Sequence, residues 1–210
     1  MQQKRNMPIG IQSFPSMIEG KYVYVDKTQF IPKLEKVGRA YFLARPRRFG
    51  KSLFLSTLKA YFLGQKELFI GLAIEGLEEA EADKRDVWQE YPVLYLDFNI
   101  GKYTDSGALN ERLHVMLSEA ESVYGISTPK EEQPFFASRF EKLLKRAYQQ
   151  TGKQAVILVD EYDKPLLQTM GMNESLNEDY RNTLKAFYSV IKTCDEYIRF
   201  AFLTGVTKFS

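Results

Sequence analysis

Ala155-Val-Ile-Leu-Val159 is an unbroken aliphatic run, with Gly152 shortly before it and Asp160 and Glu161 directly after it. A strand with one face in water alternates apolar and polar side chains, so a continuous run of this length reads as a strand buried on both faces. Burying both faces calls for helices above and below a parallel sheet. The rest of the chain supplies the parts. Ala40 to Ala44, Val93 to Phe98 and Ile198 to Leu203 are apolar and of strand length. Between them, apolar side chains recur at helical spacing: Leu53, Leu55, Leu58 and Phe62, then residues 107 to 123, then Phe136 to Tyr148, then Leu176 to Ile191. The expected fold class is α/β, a three-layer, mostly parallel sheet with helices on both faces. Such sheets place binding sites at the carboxyl ends of their strands.

Three strand tips carry chemistry. The first is Arg45-Pro-Arg-Arg-Phe-Gly-Lys-Ser52, between a strand and a helix. A helix N-terminus offers unpaired N–H groups and the positive end of the macrodipole, which suits a phosphate. Gly50 lets the backbone approach an anion, Lys51 adds a mobile charge for the β and γ phosphates, and the Ser52 hydroxyl is a candidate magnesium ligand. Arg45, Arg47 and Arg48 help neutralise a triphosphate, whereas Pro46 has no N–H to offer. Phe49 and Leu53 complete the candidate loop. The pattern G-x-x-x-x-G-K-[ST] wants glycine where this chain has Arg45, and a strand–helix junction with a solvated basic turn remains an open alternative.

The second tip is Asp160-Glu161. Here one carboxylate would hold magnesium and the other would orient or deprotonate a water attacking the γ-phosphate. A solvated acidic turn is the plain alternative. Thr204 forms the third, either contacting the γ-phosphate or its attacking water, or simply bonding backbone. Asp163 and Lys164 receive no catalytic role.

Composition narrows the chemistry further. A chain of 210 residues, 44% hydrophobic and 27% charged, is enough for one domain with a sizeable core. Net charge is only +2, so nucleic acid or an anionic membrane is not implied by charge alone. One cysteine, Cys194, and one histidine, His114, exclude an internal disulfide and a His/Cys metal site, leaving oxygen ligands. His114 reads as a surface residue on a helix. No apolar run nears the ~20 residues of a membrane span and no signal-peptide core follows the N-terminus, so the expected location is cytoplasmic.

Locally, residues 1 to 20 read as irregular and Tyr22 to Val25 as a short strand. Asp26 and Thr28 are caps for a helix that Pro32 would distort if it began at Asp26. The acidic stretch Glu75 to Asp83 reads as a solvated face or loop, and Ser175 with Glu178 as a capping box.

As a set, Tyr24-Val-Asp-Lys-Thr28, the Arg45–Ser52 loop, Tyr91-Pro-Val-Leu-Tyr-Leu-Asp97, Val159-Asp-Glu-Tyr-Asp-Lys-Pro165 and Leu203-Thr-Gly-Val-Thr-Lys-Phe-Ser210 span nearly the whole chain. They resemble the bacterial AAA-ATPase-like proteins, relatives of the archaeal-type ATPases within the P-loop NTPases. That family shares the arginine-for-glycine departure at position 45. The resemblance implies an ASCE-type sheet with the Thr204 strand between the phosphate-loop strand and the Glu161 strand, and residues 24 to 28 near an adenine. Members usually continue into a fifth strand beside the first, a helical lid and often a nuclease-like domain. The expectation is therefore a segment, 1–38, ahead of a P-loop core, 39–210, that is incomplete at its C-terminus.

The leading functional reading is a domain that binds ATP with Mg2+, hydrolysing it in the full-length context. Binding residues are Arg45 to Leu53, metal ligands Ser52 and Asp160, and catalytic residues Glu161, Lys51 and Thr204. A homo-oligomer or a missing C-terminal domain would be the partner. The competing readings are a non-hydrolytic, nucleotide-dependent switch and, behind it, a nucleic-acid contact through the arginines, expected only through the wider protein.

Overall fold

The computed structural model describes residues 6–208. Twelve principal elements follow in chain order: α1 (Phe14–Glu19), α2 (Ile31–Val37), β1 (Ala40–Ala44), α3 (Lys51–Phe62), α4 (Ala73–Glu79), β2 (Val93–Asp97), α5 (Ala108–Val123), α6 (Phe136–Thr151), β3 (Ala155–Asp160), α7 (Lys164–Thr169), α8 (Glu174–Thr193) and β4 (Ile198–Gly205). The strands form one sheet in the order β1-β4-β3-β2, and every pairing is parallel. β4 thus lies between the phosphate-loop strand and the strand ending in the acids, as the resemblance implies.

The aliphatic run of β3 is explained by what lies on either side. All six of its residues are buried. Ala155, Ile157 and Val159 face a core built with α5, α6 and α8, while Val156 and Leu158 face a second core built with α3 and the N-terminal segment. Alternation is present, but both sides are apolar, so period two is invisible in the sequence. Register then fixes the site. Asp97 pairs with Asp160 across β2 and β3, and Leu43 with Thr204 across β1 and β4.

The N-terminal region is more ordered than expected. Residues 14 to 19 form α1, because Ser13 caps it through the Ser16 amide and Pro15 stands in its first turn, where a missing N–H costs nothing. Phe14 and Ile31 are fully buried in the same core as α3. Tyr22 makes only an isolated bridge to Asn6 rather than a strand. Pro32 causes no distortion, since α2 starts at Ile31 after a 3-10 turn over Thr28–Phe30, with Asp26 Oδ1 accepting from the Thr28 amide and hydroxyl. Met1 to Arg5, Phe209 and Ser210 fall outside the described residues.

Two further expectations are corrected. The acidic stretch is not simply solvated: Glu78 is fully buried on α4, taking two contacts from Arg85 and one from the Tyr61 hydroxyl. Helix α8 is capped by Asn173, whose side chain accepts from the Leu176 amide, so it begins ahead of the Ser175–Glu178 pair. His114 is half-buried and within 3.0 Å of the buried Arg139, which also pairs with Glu121 and pins α5 to α6. No helix among the described residues is long and apolar enough to cross a membrane.

Candidate functional site

The loop leaving β1 begins inside the sheet: the Arg45 amide donates to Gly205 O at 3.1 Å. Two left-handed residues, Arg48 at φ 67° and Gly50 at φ 77°, then fold the chain back. Gly50 has nothing within 4 Å of where a Cβ would stand, so the space in front of it is open as well as its backbone permissive. Lys51 starts α3, and no side chain caps this helix, which leaves first-turn N–H groups for an anion. Arg45, Pro46, Arg47, Arg48 and Phe49 are exposed, Ser52 and Leu53 half-buried, and Lys51 buried.

Lys51 has all its donors engaged. Its Nζ lies 2.9 Å from Arg45 O, 3.2 Å from Pro46 O and 3.1 Å from Glu161 Oε1. Both ends of the ion pair are nearly inaccessible, with side-chain exposures of 3% and 10%. A pair so placed is screened little, yet each charge has given up hydration, so its net worth depends on those carbonyl contacts.

Across the cleft, β3 delivers Asp160 and then turns sharply, with Glu161 at φ 52°. A non-glycine residue held there costs about 1–3 kcal/mol, which its surroundings must offset. They do so through Thr204: its hydroxyl donates to Asp160 Oδ1 at 2.6 Å and accepts from the Glu161 amide at 3.3 Å, while Thr204 O accepts from the Tyr162 amide at 2.9 Å. Asp160, Glu161, Thr204 and Lys51 are therefore one connected set, brought together from three strand ends.

Two hollows open onto it. A cleft of about 900 Å³ is lined by Pro8–Gln12, Arg47, Arg48, Gly50 to Leu53, Asn99, Glu161, Lys164 and Gln168. Beside it, a hollow of about 290 Å³ is lined by Gln12, Ser13, Ser52, Ser56, Lys59, Tyr95, Asp97, Asn99 and Asp160. Burial and the nearby Asp160 charge raise the Asp97 pKa against the pull of the Asn99 amide, and burial followed by the same two carboxylates raises that of Tyr95. Burial, reinforced by Arg47, lowers that of Lys164, although Glu161 and Asp97 oppose it.

The donor chemistry fits magnesium bound with phosphates. Ser52 and Asp160 face one hollow with hard oxygen atoms, and among the described residues no group of three or more His, Cys, Asp or Glu forms a cage of its own. Mg2+ characteristically takes one or two carboxylates and completes its shell with phosphate oxygens and water. The larger cleft is of the size that holds a nucleotide-like ligand.

The sequence missed several contributors. Pro8 to Gln12 wall the cleft, whereas Tyr24 does not; it packs edge-on against Phe14, 3.5 Å from the Thr57 hydroxyl, on a separate hollow. Its pKa is raised, chiefly by burial. Asn99 and Lys164 face each other across the cleft rim, with Lys164 Nζ donating to Asn99 O. Gly10, next to apolar neighbours and at φ 76°, was the one available hint of a shaped N-terminal turn.

A family model described as "Predicted AAA-ATPase" matches residues 8–210. An "Uncharacterized protein in vnfD 5'region" from Azotobacter chroococcum mcd 1 is 42% identical over 208 residues, covering 99% of this chain. The chain spans 38% of that relative's length. No solved structure matches.

Proposed function

Because the chain belongs to the predicted AAA-ATPase family, we propose that it is a magnesium-dependent ATP-binding domain that hydrolyses ATP, with residues 39–210 as its core. The observation that carries this reading is the meeting of Lys51, Ser52, Asp160, Glu161 and Thr204 at the carboxyl end of a parallel sheet, where two adjoining hollows open beside Ser52.

The phosphates lie along Gly50 to Ser52 and the first turn of α3, with Arg47 and Arg48 beside them. Leu53 and the Pro8–Gln12 wall flank the base and sugar. Pro8 to Gln12 would then serve as the wall of the site, while Phe14 and Ile31 share the core of α3. Ser52 and Asp160 would hold Mg2+, which would supply electrophilic stabilisation of the phosphate charge. Lys51 exchanges its Glu161 contact for phosphate oxygen, which releases Glu161 to orient the attacking water and accept its proton. Thr204 keeps Asp160 and the Glu161 backbone in register. β1 pairs on one side only among the described residues; a further strand on that edge, as the resemblance implies, would complete the sheet.

The Lys51–Glu161 contact also supports a second reading, a non-hydrolytic switch whose pairing breaks when nucleotide arrives. Single-turnover phosphate release separates the two. A hydrolase releases phosphate, and Glu161→Gln slows that by roughly 100-fold or more while keeping nucleotide affinity. Binding without release, identical in both proteins, favours the switch.

A further inference from the structure

Asp163 is the side chain at this site to which no role has been given. It is 0% exposed and occupies the N-cap position of α7, yet it makes no capping bond to that helix. Its Oδ2 instead accepts from the Val206 amide at 2.7 Å, the Thr207 amide at 2.7 Å and the Thr207 hydroxyl at 3.2 Å. Its Oδ1 is buried without a hydrogen-bond partner among the described residues. Gly205 presses on the same carboxyl group: a Cβ there would stand 2.8 Å from Asp163 Cγ and from its Oδ1.

The unpaired oxygen carries a desolvation cost, and the capping bond that Asp163 forgoes would have been local. Its other oxygen, however, gathers three donors from the segment that follows β4. The end of β4 just ahead of that segment bonds to the loop and to the acidic turn: Gly205 O accepts from the Arg45 amide at the root of the phosphate loop, and Thr204 bonds Asp160 and the turn at Glu161. The Tyr162 hydroxyl adds a bond to Thr207 O at 3.1 Å.

We propose that Asp163 is a positioning residue that locks the Gly205–Thr207 loop to the acidic turn and so holds Thr204 and Glu161 in one geometry for turnover. The inference rests on the ATP-hydrolysing reading above. Asp163 lines neither hollow and acts through Thr204 and the turn at Glu161. Nucleotide affinity comes from Lys51 and the α3 N-terminus, which Asp163 does not contact. Its loss therefore falls on the reacting end of the site rather than on binding.

The test measures single-turnover phosphate release, MgATP affinity by calorimetry and amide hydrogen exchange on the 210-residue chain, for wild type, Asp163→Asn and Thr207→Val. Asp163→Asn is expected to speed exchange at Val206 and Thr207 and to slow release by roughly 10- to 100-fold, the scale of a small misplacement of reacting groups. Its affinity stays within about threefold of wild type, the split expected when only transition-state geometry is lost. Thr207→Val removes the longest of the three contacts and leaves both amides in place, so it folds and slows release by about 2- to 5-fold. Release and exchange in either variant matching the wild type overturn the positioning role alone, as does an Asp163→Asn protein in which affinity falls in step with release. A wild type that binds no MgATP, or binds it and releases no phosphate, removes the hydrolytic reading and this inference together.

Discussion

Asp97 and Asp160 end neighbouring strands in register, close enough for the Asp160 charge to act on Asp97. Burial first, and Asp160 second, hold the Asp97 carboxyl above its ordinary pKa. A carboxyl whose folded pKa exceeds its unfolded one binds protons more tightly when folded, so its ionisation lowers stability as pH rises through that window. Asp97→Asn keeps an oxygen for the Asn99 amide and removes the charge. Its thermal midpoint should lie above that of the wild type at pH 7, and the gap should close as pH falls below the unfolded aspartate value of about 3.9. A midpoint at or below that of the wild type at neutral pH would show that the Asp97 charge is compensated. At this scale the site was largely legible. Lys51, Ser52, Asp160 and Glu161 stood out because glycine, a basic group and paired acids at strand ends are chemically unusual together. Asp163 received no catalytic role from the sequence, since nothing local reveals that its carboxylate reaches a loop more than forty residues later in the chain.

Elements were read well where a single period dominates and poorly where tertiary contacts decide. The spans of β2, α5 and β3 followed from apolar spacing, because each buries a continuous stripe or face. Helix α4 did not stand out, since a short acidic stretch resembles a solvated loop until Arg85 and Tyr61 are seen to surround Glu78. The Tyr61 hydroxyl also donates to Glu35, and burial followed by these two carboxylates raises its pKa strongly. Glu78 therefore ties α4 to α3. Glu78→Ala should cost about 1–3 kcal/mol in urea unfolding, the usual range for stranding buried hydrogen-bond partners. A cost within the ~0.5 kcal/mol typical of surface substitutions would return α4 to the status of a solvated connection.

For the molecule as a whole, the sheet has a core on each face, and the N-terminal segment belongs to one of them. Phe14 is fully buried, packs at a tilt against Phe69 with ring centroids 4.9 Å apart, and donates its amide N–H to the Ser56 hydroxyl on α3. The wall of the cleft is thus anchored to the helix that begins at Lys51. Phe14→Ala should cost about 3–5 kcal/mol with one cooperative transition, as for an aromatic removed from a shared core. A small early transition followed by an unchanged main one would mean that the segment folds apart from the sheet. Sequence reading placed a boundary at residue 38 because Gly38 and the strand after it are conspicuous; long-range packing of Phe14 and Ile31 leaves no such mark. The most direct measurement is calorimetry of MgATP binding to the wild type and to Lys51→Ala. The wild type should give a saturable, magnesium-dependent heat, and the variant should lose roughly 100-fold or more in affinity, as expected when a buried ammonium facing phosphate is removed. Equal heats from the two proteins would contradict a phosphate site at the head of α3.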